Sequence, residues 1–368
     1  MNQGGRVSSG ENGDQGVVLP RDTPKHPRKD GRGSPRATIR DVAARAGVSS
    51  ATVSRVLNGA GLGKVSENAL ARVTKAIEDL RFEPSPAARA LATRRSRTIG
   101  ILTLTEIFSP AMLSFELQRA AQDAGYNVSV ATITSPDAEV VTTTAFHVFR
   151  EVEGLIALAP THDSKQILDA VGVDVPTVVV EGTGGEGTSS ISMDQKGGAI
   201  LATEHLIAQG ARTIRHVAGP EAWPVSQARL TGWREALARH DLPEAPVVRG
   251  DWTSASGYRA GIDLLKSGRF DAVFVANDHM ALGVMSALHD AGVSVPGEVL
   301  VVGFDDLQDS PYLTPKLTTV RQDYRHLGQQ AVNDLVGLLD GRSRDEIHRV
   351  LPVHLVVRES STRERKEK

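Results

Sequence analysis

Apolar and polar residues alternate with helical spacing between Thr38 and Gly59, a stretch that reads T-I-R-D-V-A-A-R-A-G-V-S-S-A-T-V-S-R-V-L-N-G. Its first apolar residues recur every three or four positions and predict a short helix: Ile39, Val42, Ala43 and Ala46. Gly47 interrupts the repeat, and Ser49 is a residue type that caps the following helix. The pattern therefore predicts two helices joined by a tight turn, the layout of a helix-turn-helix unit.

The second of these helices is expected to turn one face to the core and the other to solvent. Its apolar positions are Val53, Val56 and Leu57, and the opposite face carries Ser50, Ala51, Ser54 and Arg55. Small polar side chains allow a helix to enter a major groove, and an arginine can reach guanine O6 and N7. An ordinary helical hairpin with a solvated polar face is the alternative.

A third helix is expected after Ser66, and from Thr98 onwards the pattern changes to alternating strands and helices. Such alternation predicts an α/β body with parallel sheets, and its length suits two doubly wound lobes. We predict five segments: a disordered arm (1–36), an all-α helix-turn-helix head (37–82), a hinge helix (83–97), a two-lobed effector-binding and dimerisation domain (98–360) and a charged tail (361–368). The G-x-G-x-x-G of residues 182–187 precedes an expected strand, which argues against a dinucleotide site.

Charge is distributed unevenly along the chain. Residues 36–97 carry 12 Lys or Arg and 5 Asp or Glu, whereas the whole chain of 368 residues has a net charge of −2. A basic head on an acidic body is typical of a nucleic-acid partner. The chain has no cysteine, which excludes disulfides, thiolate nucleophiles and zinc fingers. We expect a cytoplasmic protein without a membrane span, metal or cofactor. The scattered histidines and the lack of H-E-x-x-H or G-x-S-x-G motifs argue against an enzyme.

Polar residues follow several of the expected strands of the body. Glu181 comes after V-P-T-V-V-V, Asn277 after D-A-V-F-V-A, and Asp305 after V-L-V-V-G-F. Ligands of open parallel sheets bind at the carboxyl ends of the strands, and carboxylates, amides and arginines bind vicinal hydroxyls in pairs. With Arg229 and the ring face of Trp252, this set predicts a carbohydrate site.

Each of these candidates has a structural alternative. In that alternative Glu181 is a surface acid and Trp252 belongs to the core. Two further acids next to the candidates, Asp278 and Asp306, would then cap a helix and a turn, respectively. Trp223 is either a stacking partner for an aryl or disaccharide ligand or a surface residue.

The Thr38–Gly59 stretch closely resembles the DNA-reading module of the LacI/GalR family of bacterial transcription regulators. The matching residues are Ile39, Asp41, Val42, Ala43, Ala46, Gly47, Val48, Ser49, Thr52, Val53, Ser54, Arg55, Leu57 and Asn58. The resemblance implies that Ser50, Ala51 and Arg55 choose the operator, and that Thr52, Ser54 and Asn58 contact phosphate. It implies DNA-binding roles for these six residues and for Thr38, Ile39, Arg40 and Ser49.

Beyond the head, P-S-P-A-A-R-A-L matches the family's hinge helix. The match implies that Ala88 and Leu91 enter the minor groove, with Leu91 as an apolar wedge between base pairs. The alternative is that Leu91 packs on the body.

The body is similar to the family's effector domain, which periplasmic sugar-binding proteins share. Motifs such as V-A-N-D-H-M-A-L-G and L-T-T-V-R-Q-D-Y-R-H-L-G are most similar to the lac repressor branch. The match implies sugar contacts from Arg229, Asn277 and Asp305. Four further residues match pocket positions: Trp252, Gln322, Tyr324 and, more loosely, Glu181.

The resemblance therefore implies a repressor of carbohydrate-use genes that binds a palindromic operator as a homodimer. We expect a small sugar to release the repressor from its operator, and galactosides are among the candidate sugars. The carboxyl-terminal segment lacks a leucine heptad, so we expect a dimer rather than a tetramer. Two alternatives are a sugar-binding protein without a DNA role and a regulator that uses a corepressor, either a non-sugar or a phosphorylated ligand.

Overall fold

The structure is a computed structural model that describes residues 37–58, 65–82, 95–103, 110–133, 143, 148–158, 174–182, 188–343 and 346–363. The chain divides into two compact units between Ser85 and Pro86, which we call the head and the body. The predicted arm and most of the predicted hinge lie outside the described residues. The alternating pattern of the body also predicts a helix over 137–150, and most of that segment lies outside them as well.

The described residues of the head form three helices, α1 (Ile39–Ala46), α2 (Ser50–Asn58) and α3 (Glu67–Leu80). Thr38 and Asp41 form a capping box: the Thr38 N–H donates to the Asp41 carboxylate at 2.8 Å, and the Asp41 N–H donates to Thr38 Oγ1 at 3.4 Å. Gly47 ends α1 with φ of 63°, a conformation in which a side chain would be strained. The predicted helix-turn-helix layout is therefore confirmed.

A small apolar core holds the three helices of the head together. Its fully buried members come from every helix: Val42, Ala43, Ala46, Val53, Val73 and Ala76. Val56 and Leu57, which the periodicity assigned to the interior, are partly buried and pack against this core, as does Ile77 of α3. The core is too small to cover these larger side chains completely, as is usual for a unit of this size.

The described residues of the body form two six-stranded sheets, each the centre of one lobe. Along the chain the strands are β1 (Thr98–Thr103), β2 (Asn127–Thr132), β3 (Gly154–Leu158), β4 (Thr177–Val180), β5 (Ser189–Met193), β6 (Ile214–Ala218), β7 (Val248–Arg249), β8 (Ala272–Val275), β9 (Leu300–Asp305), β10 (Thr318–Arg321), β11 (His348–Leu351) and β12 (His354–Val356). The α-helices of the body within the described ranges are α4 (Pro110–Asp123), α5 (Gln195–Ala208), α6 (Pro224–Arg239), α7 (Ser254–Lys266), α8 (Asp278–Asp290) and α9 (Tyr324–Leu339). The α/β body of two doubly wound lobes is therefore confirmed.

The sheet of the first lobe has the order β11-β5-β4-β3-β1-β2 and packs against α4 and α9. The sheet of the second lobe has the order β12-β10-β9-β8-β6-β7 and packs against α5 to α8. All pairings are parallel except that of β12 with β10. The strand at Ser189–Met193 bears out the expectation of a strand, not a helix, after the G-x-G-x-x-G.

The chain passes between the lobes three times. The first passage joins β5 to α5, the second joins β10 to α9, and the third joins β11 to β12. We call the first two the crossing segments, residues 193–195 and 321–324. The alternating pattern of the sequence predicted two lobes but did not predict where the chain passes between them. Among the helices of the described ranges, none is long and apolar enough to cross a bilayer.

Candidate DNA-binding surface and ligand site

The second helix of the head presents the polar face that the sequence predicted. Ser50, Ala51 and Arg55 are exposed, Ser54 is partly exposed, and Val53 is fully buried. An exposed face of two small side chains and one arginine is sterically able to approach the base edges of a groove.

Several residues predicted to bind DNA also stabilise the head itself. The Ser49 hydroxyl accepts the Thr52 N–H at 3.1 Å and lies 3.0 Å from the Thr52 hydroxyl, so Ser49 caps α2 through Thr52. Thr38 caps α1, and Arg40 is exposed beside it. Ile39 is partly buried against the core of the head. The Asn58 side chain, Ala88 and Leu91 lie outside the described residues.

Arg229 is the centre of a buried polar network at the junction of the two lobes. It lies on α6 and is only 4% exposed. Its Nε donates to Gln195 Oε1 at 2.9 Å, its Nη1 donates to the Ala276 carbonyl, and its Nη2 lies 3.5 Å from Asp305 Oδ1. The guanidinium also lies 3.8 Å from the centre of the Phe304 ring, a cation–π contact.

The network continues from Asp305 into the second crossing segment. Gln322 Nε2 donates to Asp305 Oδ1 at 2.7 Å and to the Tyr324 hydroxyl at 2.8 Å. Asp305 and Gln322 are both buried. The structure thus brings together Arg229, Asp305, Gln322 and Tyr324, which the sequence analysis proposed from separate parts of the chain.

Gln195 belongs to the same network, and the sequence analysis did not identify it. It is the first residue of α5 and is 6% exposed. Its Nε2 donates to Glu181 Oε2 at 3.0 Å and to Gln322 Oε1 at 2.8 Å, while its Oε1 accepts from Arg229. Its position directly after a strand, where other site candidates were sought, was the signal available in the sequence.

Glu181 is a half-buried acid of the network, not a surface acid. Its carboxylate accepts the Met193 N–H at 3.0 Å and the Gln195 amide. Burial raises its pKa to about 7, against the lowering effect of these hydrogen bonds and of Arg229. Burial also raises the pKa of Asp305, which the nearby Arg229 opposes. Polar groups with raised pKa values in one buried cluster are typical of a functional site.

Three site residues have a left-handed backbone that side chains rarely adopt. The φ angles are 57° at Glu181, 72° at Trp252 and 115° at Asp305. Residues other than glycine keep such conformations when the surrounding structure imposes them, and they cluster at binding sites. In Asp305 the unusual backbone accompanies the turn at the end of β9 and directs its carboxylate to Arg229.

Asn277 and Trp252 are held together beside the network. The Asn277 Oδ1 accepts the Met280 N–H and caps α8, and its Nδ2 donates to the Trp252 carbonyl at 3.0 Å. Trp252 is buried, and the Arg229 guanidinium carbon lies 5.7 Å from the centre of the Trp252 ring. The indole Nε1 of Trp252 has no hydrogen-bond partner in the described part of the chain. Trp223 is also buried and meets Trp252 edge to face at 5.6 Å. The alternative of a surface position for Trp223 is therefore wrong, since its ring packs behind Trp252.

Asp278 and Asp306 are structural anchors. Asp278 does not cap α8, because Asn277 does; its carboxylate accepts from the Leu307 N–H and from the hydroxyls of Ser310 and Thr319. Asp306 pairs instead with two arginines, Arg321 at 2.5 Å and Arg358 at 2.6 Å. Asp305 and Asp306 thus have different partners, although they are neighbours at the end of a strand.

A cleft of about 310 Å³ opens beside the network. Its lining comes from α4 of the first lobe and from the ends of β9 and β10 in the second, and includes Met112, Glu116, Asp305, Gln322 and Tyr324. A small ligand in this cleft contacts both lobes. Within the described ranges there is no group of three or more His, Asp or Glu side chains placed to hold a metal ion.

The Trp252 ring depends on the absence of a side chain at Gly219. A Cβ on Gly219 would overlap the Trp252 ring. We expect Gly219→Ala to lower the free energy of unfolding by about 1–3 kcal/mol, because overpacking forces a shift of the ring. Urea denaturation checks this.

The matched control for Gly219→Ala is Gly337→Ala. Gly337 lies within α9, and nothing lies within 4 Å of its added Cβ. The control is expected to be neutral or to stabilise by about 0.5–1 kcal/mol. Equal losses of stability in the two variants would show that contact with the Trp252 ring is not the reason why position 219 requires glycine.

The raised pKa of Glu181 predicts a pH dependence of stability. Because its folded pKa of about 7 exceeds the ordinary 4.5, the native state binds more protons than the unfolded state between these values. The contribution of Glu181 to the free energy of unfolding therefore falls as pH rises from 4.5 to 7, by at most about 3.5 kcal/mol, at about 1.4 kcal/mol per pH unit.

Glu181→Gln should flatten this pH profile in urea denaturation between pH 5 and 7.5. The control is Glu235→Gln, a partly exposed acid paired with Lys196, which lowers the pKa of Glu235. A lowered pKa gives stability that is lost only in the more acidic range, so the control should follow the wild type. A Glu181→Gln profile parallel to the wild type contradicts the assignment.

Comparison with known proteins matches both units of the chain to known families. Residues 38–85 match the model described as bacterial regulatory proteins, lacI family, and residues 203–361 match that of a periplasmic binding protein-like domain. The lactose operon repressor of Escherichia coli (strain K12) is 34% identical over 328 residues, covering 88% of this chain and 90% of the repressor.

Two solved structures are similar over nearly the same length. One is a lac repressor dimer bound to operator and the anti-inducer ONPF, with a TM-score of 0.78 and 34% identity over 89% of this chain and 99% of that chain. The other is a complex of the transcriptional regulator CelR with cellobiose, with a TM-score of 0.66 and 32% identity over 88% of this chain and 100% of that chain. The chain belongs to the lacI family of bacterial regulatory proteins.

Proposed function

We propose that this protein is a sequence-specific DNA-binding repressor of carbohydrate-use genes, and that a small sugar bound between its lobes releases it from its operator. The observation that carries the proposal is the buried Arg229–Asp305–Gln322 network beside a cleft, in a chain whose head exposes a groove-sized polar helix.

The DNA-binding part of the proposal rests on α2. Ser50, Ala51 and Arg55 read base edges, because they are the exposed residues at the beginning and middle of the helix. The head residues Thr38, Ile39, Arg40, Ser49, Thr52, Ser54 and Asn58 position the helix on the backbone of the duplex. Ala88 and Leu91 of the hinge enter the minor groove.

The sugar-binding part rests on the chemistry of the junction. Carboxylate, guanidinium and amide groups in one place offer both acceptors and donors to vicinal hydroxyls, and the Trp252 ring offers an apolar face. The proposed ligand residues are Arg229, Asn277, Asp305, Trp252, Gln322, Tyr324 and Glu181. No cofactor is required for this recognition.

The class of sugar is narrowed by two relatives. The CelR structure holds cellobiose, and one relative is a lactose operon repressor. Glucosides and galactosides are therefore the first ligands to test. The similarity to a lac repressor dimer on operator supports a homodimer on an inverted repeat, acting in the cytoplasm where the chromosome lies.

The proposed mechanism is a linkage between the two sites. Operator favours a lobe arrangement in which two hinges pair, and sugar favours another arrangement that separates them. Because the coupling is reciprocal, operator must weaken sugar binding by the same factor by which sugar weakens operator binding.

The proposal is tested by fluorescence anisotropy of the full chain on DNA fragments from upstream of its own gene. The titration is repeated with galactosides, glucosides including cellobiose, pentosides and hexose phosphates. We expect salt-sensitive binding to one inverted repeat and release by one sugar. A duplex with the repeat scrambled is the control, and equal affinity for both duplexes contradicts the proposal. Tighter operator binding with a ligand would replace induction by corepression.

A further inference from the structure

We propose that Gln195 is the positioning residue that couples the lobes: it clamps the two crossing segments to each other and orients Arg229 for the ligand. This inference rests on the proposed function, because it assigns a role in sugar response. The carrying observation is that one buried amide bonds to three residues from three separate parts of the body.

The geometry fixes how the amide is oriented. Arg229 Nε is only a donor, so the atom that faces it at 2.9 Å must be the oxygen of Gln195. The nitrogen then donates its two hydrogens, one to the carboxylate of Glu181 and one to the carbonyl oxygen of Gln322. The amide therefore uses both of its N–H groups and its oxygen. Two acceptors on one side and one donor on the other fix the orientation of the Gln195 amide.

The partners lie on elements that have to move if the lobes rotate. Glu181 follows β4 of the first lobe, Gln322 follows β10 on the second crossing segment, and Arg229 lies on α6 of the second lobe. Gln195 itself begins α5 directly after the first crossing segment. A change in the angle between the lobes therefore changes the distances between these partners.

The connection to ligand binding runs through two bonds of the network. Gln322 donates to the Asp305 carboxylate, and Arg229 also faces it. The amide of Gln195 is therefore bonded to both neighbours of Asp305, which is one of the proposed sugar-binding residues. A sugar hydroxyl that binds Asp305 competes with these bonds and shifts Gln322 and Arg229. Gln195 transmits that shift to both crossing segments.

The test uses Gln195→Met in the full chain, which keeps the length of the side chain and removes all three hydrogen bonds. The matched control is Thr203→Val, on the same helix and also buried, where a hydroxyl that donates to the Ala199 carbonyl is removed. Both variants lose a buried polar group, but only the first is at the lobe junction.

The first readout needs no ligand. Hydrogen exchange of the backbone amides is expected to quicken at least fivefold in residues 188–194 and 318–324 of Gln195→Met, and to stay within twofold of the wild type there in Thr203→Val. Unchanged exchange in these segments of Gln195→Met overturns the inference, whatever a sugar does.

The second readout is the ratio of operator affinities without and with a saturating sugar from the panel. We expect Gln195→Met to reduce this ratio at least fivefold and Thr203→Val to keep it. A preserved ratio in Gln195→Met overturns the coupling role even where exchange quickens. If no sugar alters the wild-type operator affinity, the proposed function fails, and the exchange experiment alone still decides whether Gln195 clamps the crossing segments.

Discussion

Arg229→Met is expected to abolish the response to sugar while the ligand-free protein still binds operator. The substitution removes the positive charge beside Asp305 and leaves the Gln195 Oε1 and the Ala276 carbonyl without their donor. Breaking a buried ion pair by removing one partner costs about 3–5 kcal/mol of stability. We expect sugar affinity to fall at least about 100-fold, since hydrogen bonds to charged groups contribute about 1.5–3 kcal/mol each.

The measurements are sugar titration by calorimetry and operator anisotropy, both made below the unfolding temperature of the variant. The control is Arg215→Met, another buried arginine of the second lobe, whose Nη2 lies 3.4 Å from the Ser267 carbonyl. Arg229→Lys keeps a positive charge beside Asp305. It tests whether the loss of sugar affinity in Arg229→Met comes only from a loss of folding stability. If Arg215→Met loses the sugar response equally, the effect is one of stability.

Arg55→Ala has the second largest expected effect, a loss of operator affinity of about 30-fold or more. A bidentate contact between arginine and guanine contributes about 1–3 kcal/mol, and a dimer on an inverted repeat loses two such contacts. Binding to non-specific DNA should change much less, because it depends mainly on phosphate contacts. Anisotropy on the operator and on a scrambled duplex measures both.

Arg45→Ala is the control for Arg55→Ala, because it removes the same charge from the same unit. Arg45 lies at the end of α1, is 61% exposed and pairs with Asp79 at 3.1 Å. An exposed pair of this kind contributes at most about 1 kcal/mol to stability. Equal losses of operator affinity in both variants would mean that Arg55 acts through general charge and does not read a base.

The head could be predicted in detail because its signals are local. The spacing of Val42, Ala46 and Val53, together with the turn at Gly47, determines which faces meet. The hinge match falls on residues outside the described ranges, so the wedge at Leu91 stays a prediction.

The ligand site could be predicted in part because strand ends are visible in a sequence. The rule that polar residues after parallel strands converge identified Glu181, Asn277 and Asp305. It did not identify Gln195, because its bond to Gln322 joins residues 127 positions apart and depends on how the chain passes between the lobes. The burial of Trp223 could not be predicted from the sequence either. Trp223 packs against Trp252 because both residues follow strands of the same lobe.

Asn277 illustrates a residue type whose two roles the sequence cannot separate. Its amide caps α8 and holds the Trp252 carbonyl, so its chemistry is already used within the protein. In the proposed site it contacts sugar only if it exchanges one of these bonds or uses a remaining lone pair.

The measurement that tests the central claim most directly is a reciprocal titration of the full chain with operator and sugar. Operator affinity is measured without and with saturating sugar, and sugar affinity is measured on the free protein and on the operator complex. A reciprocal linkage predicts that sugar weakens operator binding at least tenfold and that operator weakens sugar binding by the same factor. An operator affinity that does not change at saturating sugar would contradict the account, because the two sites would then be independent.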